Sequence, residues 1–154
     1  MPNQMQIAQI NVARMHHPLD HPAMAGFVAH LDAINARADA APGFVWRLQD
    51  ESGNATDLSP FDDPMVIVNM SVWETIDALF DFVYRGAHTE VMRRRKSWFE
   101  LPKTAHTALW WIPAGTRPTL AEAKARLEHL RACGPSAHAF TFKHHFPATE
   151  TAGA

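Results

Sequence analysis

The sequence predicts an α+β domain whose elements follow in the order β-α-β-β-α-β, with one further helix appended. Three observations carry this. Apolar residues alternate or run unbroken over short stretches at 6–13, 43–49, 65–72 and 105–112. They recur at helical spacing over 24–38, 76–99 and 120–130. Proline and glycine stand at the joints, at Pro42-Gly43, Pro113, Gly115 and Gly134-Pro135.

Residues 6–13 (QIAQINVA) alternate and make a first strand. HHPLDHP at 16–22 is a loop whose Pro22 suits a first helical turn. Met24, Phe27, Leu31, Ile34 and Ala38 then recur at helical spacing until Ala41-Pro42-Gly43. GFVWRLQ at 43–49 is a second strand. Residues 50–63, polar and carrying Gly53, Asn54 and Pro60, form a long loop suited to a lid or a partner-contacting arm. MVIVNMSV at 65–72 is a third strand, and Ser71 with Glu74 has capping-box spacing for the helix that follows. Ile76, Leu79, Phe80 and Val83 are its inner stripe, which resumes after Gly86 through His88, Val91 and Met92 toward Trp98. AHTALWWI at 105–112 is a fourth strand. Thr119 and Glu122 form a second capping box before a helix with Leu120, Ala123, Leu127 and Leu130 inward. Residues 139–142 add a short edge strand.

This order is the ferredoxin-like split βαβ arrangement, an antiparallel sheet with both main helices on one face. Strands 65–72 and 107–112 are nevertheless apolar on both sides. A second copy of the sheet is the simplest cover for the other face, so a homodimer is expected. Residues 1–146 make one domain, and 147–154 are expected to fray.

Composition narrows the function classes. The 154 residues are 47% hydrophobic and 19% charged, with net charge −2. That balance gives no field favouring nucleic acid or an anionic membrane. No apolar run reaches the roughly 20 residues of a membrane span, and the N-terminus lacks a signal-peptide pattern. A single cysteine, Cys133, suits a reducing compartment, so a cytoplasmic protein is expected. Phosphate loops and nucleophile elbows are missing from the sequence.

The segments INVAR, PGFVWRLQD, GNATD, VNMSVWE, FVYRGAHTEVMRRR, LWWIPAG and PTLAEAKARLEHL resemble a bacterial family described as a domain of unknown function. The strand-helix junction is similar to that of the dimeric α/β-barrel superfamily, which includes antibiotic-biosynthesis and haem-degrading monooxygenases. The resemblance implies the fold and a homodimer. It also implies, less specifically, a cofactor-free monooxygenase or isomerase acting on a small aromatic or apolar compound, or a non-catalytic binding protein on the same scaffold. The haem-degrading members use an Asn on the first strand and a Trp and a His on the second main helix. Asn11 matches the first, whereas Phe82 and Met92 stand near the other two positions.

His88 is the candidate catalytic residue, since an imidazole can move a proton or bond a phenolic oxygen near neutral pH. The structural alternative is a bond to a backbone carbonyl where Gly86 interrupts the helix. Asn11, Trp73, Tyr84, Trp98 and Arg47 are the candidate ligand-binding residues. Asn11, Arg14, Arg47 and Asn69 lie on or beside buried strands and need partners. For Arg47 an internal carboxylate is favoured over a ligand carboxylate. His16, His17, Asp20 and His21 crowd a loop broken by Pro18, so no metal site is expected. Cofactors are likewise expected to be none. The basic run at 93–96 is expected to be a solvated face, and Cys133, at a helix C-terminus, is not a nucleophile.

Overall fold

The computed structural model describes residues 4–48, 65–85 and 97–148. The polar loop at 50–63, Gly86, His88, Val91, Met92, the basic run at 93–96 and the tail from 149 lie outside them. The described elements are β1 (Met5–Arg14), α1 (Ala25–Ala40), β2 (Phe44–Arg47), β3 (Val66–Trp73), α2 (Ile76–Arg85), β4 (Thr107–Pro113) and α3 (Leu120–Cys133). A short 3-10 turn, Pro22–Met24, leads into α1. The sheet order is β2-β3-β1-β4, and every neighbouring pair is antiparallel. That is the ferredoxin-like order, with β3 inserted between β1 and β2. No helix among the described residues is long and apolar enough to cross a membrane.

Strand alternation sends successive side chains to opposite faces. Ile7, Trp73, Leu109 and Phe44 face α1 and α2, where Ala38 and Leu79 join them in one apolar cluster. At the other end of the same face Met15, Met24, Phe27 and Trp98 form a second cluster. Gly43 holds the entry to β2. Its φ of 83° is one that L side chains rarely adopt, and an added Cβ would stand 2.5 Å from the Ala78 Cβ. Its carbonyl also accepts from the Glu74 N–H at 2.7 Å.

The opposite face of the sheet packs against the appended helix. Ala8, Ile10, Val12, Val68, Met70, Val72, Ala108 and Trp110 are buried within a single chain, in one cluster with Ala123, Leu127 and Leu130 of α3. The appended helix therefore covers the β1 and β4 side of the face that was expected to meet a second sheet, while Trp46, Leu48 and Val66 on the β2 and β3 side are half-buried.

Three local expectations also change. Ser71 does not cap α2, because β3 runs on to Trp73 and the Ser71 hydroxyl is engaged within the sheet. Thr75 takes that role, its Oγ1 accepting from the Ala78 N–H at 3.0 Å. Phe80 is 37% exposed, and Phe82 turns inward instead, its ring 5.2 Å from that of Trp73. The expected strand at 139–142 reduces to one bridge, Leu109 to Phe140, with an N–H donated in each direction. The second capping box holds as expected, with Thr119 Oγ1 accepting from the Glu122 N–H.

Candidate functional site

The face toward α1 and α2 is not apolar throughout. The strand register places Arg47, Ser71 and Gln9 in one row across β2, β3 and β1. Asn69, Asn11 and Thr107 form the next row across β3, β1 and β4. These six side chains make a polar band between the two apolar clusters. On one side lie Phe44, Trp73, Ile7 and Trp111, and on the other Ile67 and Ala13. Polar groups on a covered sheet face cost desolvation unless they are bonded, so their partners decide what the band is.

Gln9 Nε2 donates to Asn69 Oδ1 at 2.6 Å and to Ser71 Oγ at 2.8 Å. Trp73 Nε1 donates to the same Ser71 oxygen at 2.9 Å. Asn11 Nδ2 donates to Thr107 Oγ1 at 2.7 Å. Arg47 is bidentate to Asp39 at the end of α1, through Nε at 2.8 Å and Nη2 at 3.3 Å. The band thus has a closed end and an open end. Gln9 and Ser71 are each 6% exposed, whereas Asn11 and Thr107 are half-buried and Asn69 is exposed.

Beside the Asp39-paired Arg47, the band offers carboxamides and hydroxyls, which donate and accept hydrogen bonds but do not take up or release protons near neutral pH. At its open end it can orient an oxygen-bearing ligand through Asn69, Asn11 and Thr107. Arg47 is already turned toward a carboxylate of its own chain, Asp39, as the sequence favoured.

Of the candidate residues, Asn11, Trp73 and Arg47 share this face. Trp98 does not join the band: it is 2% exposed in the far cluster, its ring 5.6 Å from that of Phe27. Tyr84 lies on the flank of α2 at 47% exposure, against Phe80 and Phe142. His88 is outside the described residues. The His17 and His21 rings stack at 4.2 Å, and His21 Nδ1 accepts from the Ala23 N–H, so this loop caps a helical turn. Among the described residues no group of three or more metal-capable side chains comes together. Gln9, Ser71 and Thr107 were not singled out from sequence. The signal was present as polar residues two apart in apolar strands, Gln9 with Asn11 and Asn69 with Ser71.

A comparison with protein families matches residues 6–153 to one of them. The chain belongs to the family described as Domain of unknown function (DUF3291). No curated protein matches it in sequence. Among solved structures it is similar to SnoaB, a cofactor-independent oxygenase from Streptomyces nogalater, at 18% identity and TM-score 0.43, over 76% of this chain and 98% of that one. It is also similar to a protein from Shewanella oneidensis, at 13% identity and TM-score 0.48, over 71% and 91%. A third is a protein of unknown function from Nitrosomonas europaea, at 12% identity and TM-score 0.45, over 76% and 96%.

Proposed function

We propose that this protein binds a small, planar, oxygen-bearing compound on the polar band of the α1/α2 face. The observation that carries this is the open end of the band. Asn69, Asn11 and Thr107 keep partial exposure on an otherwise largely apolar sheet face, and such neutral donors and acceptors suit a phenol, enol or quinone. The family resemblance seen in the sequence supports the same ligand class. Any turnover would follow the cofactor-free oxygenase or isomerase pattern, in which the protein positions a compound that is itself reactive. A proton-transferring group would have to come from beyond the band, and His88 is the candidate for it. The exposed, unpaired Cys133 supports a cytosolic setting.

A thermal-shift screen with phenolic, quinone and aromatic-acid compounds, and with hemin, tests this directly. Binding to the folded state raises the midpoint by mass action whether or not turnover follows. Midpoint increases confined to phenols or quinones, and lost in Asn11→Leu, are expected. Stabilisation by hemin alone, with a Soret band, would instead favour haem binding.

A further inference from the structure

The side-chain hydrogen bonds of the polar band leave donors at its open end. An indole N–H can only donate, so the Trp73 bond at 2.9 Å makes Ser71 Oγ an acceptor. Gln9 Nε2 carries two protons and both are engaged, on Ser71 Oγ at 2.8 Å and on Asn69 Oδ1 at 2.6 Å. Asn69 thus gives its carbonyl oxygen to the buried Gln9 and keeps its Nδ2 outside that bond, on an exposed residue. Asn11 Nδ2 in turn places one proton on Thr107 Oγ1 at 2.7 Å, so that hydroxyl also accepts.

Both Nδ2 protons of Asn69, the second Nδ2 proton of Asn11 and the Thr107 hydroxyl proton therefore lie outside these bonds. Asn69 and Thr107 are the two register partners of Asn11, one on each neighbouring strand. Directly opposite residues hold their Cβ atoms about 4.5–5.5 Å apart, close enough for one ligand oxygen to meet donors from two strands. Among the side-chain oxygens of this row, Asn11 Oδ1 alone receives no bond from within the band. Donors outnumber it. A carbonyl oxygen accepts two bonds and brings no proton, which matches such a row. A phenolic hydroxyl brings a proton of its own that must compete for that one oxygen. A carboxylate fits less well, because its charge would lose water while Arg47 stays with Asp39.

We infer that the open end of the band selects a carbonyl oxygen, so that its ligand is a neutral planar ketone or quinone rather than the corresponding phenol. This rests on the reading of the band as a binding site and narrows that reading to the carbonyl form. The ligand oxygen accepts from the second Asn11 Nδ2 proton and from one neighbour, Asn69 Nδ2 or the Thr107 hydroxyl.

The test is an NMR titration that follows the side-chain amide signals of Asn11 and Asn69 with two neutral, planar, two-ring probes, chromone and 2-naphthol. Chromone offers a carbonyl oxygen and no donor, whereas 2-naphthol offers a hydroxyl. The naphthol is the more apolar of the two, so packing alone would rank it first. Chromone should bind at least about fivefold tighter, the worth of one hydrogen bond. Asn69→Asp, checked as folded by circular dichroism, keeps an oxygen for Gln9 and replaces the remaining N–H pair with a second oxygen. It should weaken chromone by a similar factor and strengthen 2-naphthol, whereas a merely structural effect would weaken both. A smaller ratio between the probes, the reverse order, or unchanged chromone affinity in Asn69→Asp would overturn the carbonyl selection while leaving the band a ligand site. Amide signals that move with neither probe would remove the band as a site, and this inference with it.

Discussion

Gln9 and Ser71 face one another across β1 and β3, and Gln9 Nε2 donates to Ser71 Oγ at 2.8 Å on a face that elsewhere packs apolar side chains. Trp73 closes the arrangement by donating its indole N–H to the same hydroxyl. One oxygen therefore serves two donors, and both donor residues are buried. Ser71→Ala removes it and leaves the Trp73 N–H and one Gln9 N–H without that partner. The expected loss is about 1–3 kcal/mol, read from the urea midpoint at unchanged slope. A loss within a few tenths of a kcal/mol would show that the network does not hold the sheet face together.

The covering of the second face is open to a separate test. Leu127 is fully buried against the sheet. Leu127→Ala should cost about 2–5 kcal/mol, from lost transfer energy and the cavity left behind. Because α3 of the same chain supplies this contact, the penalty should be the same at micromolar and hundred-micromolar protein. A penalty that shrinks as concentration rises would mean that a second copy covers this face in solution.

Acid should loosen the contact between α3 and the segment after it. Burial, the Arg126 guanidinium and His129 hold the His138 pKa below its ordinary 6.5, with Glu122 opposing them. The Arg126 Nη1 lies 3.1 Å from His138 Nδ1, and the His129 and His138 rings meet edge-on at 4.5 Å. A His with a lowered folded-state pKa binds its proton more readily in the unfolded chain. Its contribution is thus fully present above about pH 6.5 and is lost as pH falls from there through the folded-state value. Urea midpoints of the wild type and His138→Gln, compared from pH 7.5 to 5, should show a shallower acid slope in the variant. Parallel curves would assign the acid sensitivity to other residues among the ten His.

Most of the fold was legible because two periodicities are clean in this chain. The strand order follows from four short apolar runs, and the inner face of α3 from Ala123, Leu127 and Leu130. What the sequence hid depends on tertiary placement. Ser71 sits three residues before Glu74, which satisfies a capping rule, but Gln9 and Trp73 claim its hydroxyl and the cap moves to Thr75. Phe80 fits the apolar stripe by spacing, yet Phe142, distant in sequence, draws it to the flank. The polar band was hardest to see, because its six residues come from four strands and meet only through the register. Asn11 and Arg47 were identified singly, without the Gln9 and Ser71 side chains that join them into one surface.

The charge pair at the edge of the band bears on specificity. Arg47 is held by Asp39, with only 12% of its side chain exposed. Asp39→Asn turns a carboxylate into a neutral amide and leaves the guanidinium without that counter-charge. Aromatic carboxylates, expected to bind weakly to the wild type, should gain affinity in this variant, as read by thermal shift. No gain would place Arg47 out of reach of the ligand.

The most direct measurement is an NMR titration that follows the side-chain amide signals of Gln9, Asn11 and Asn69 as phenols and quinones are added. At least one such compound should move all three signals saturably, and Asn11→Leu should abolish the movement while the protein stays folded. Stationary amide signals across the whole series, or the same movement in Asn11→Leu, would contradict a ligand site on the polar band.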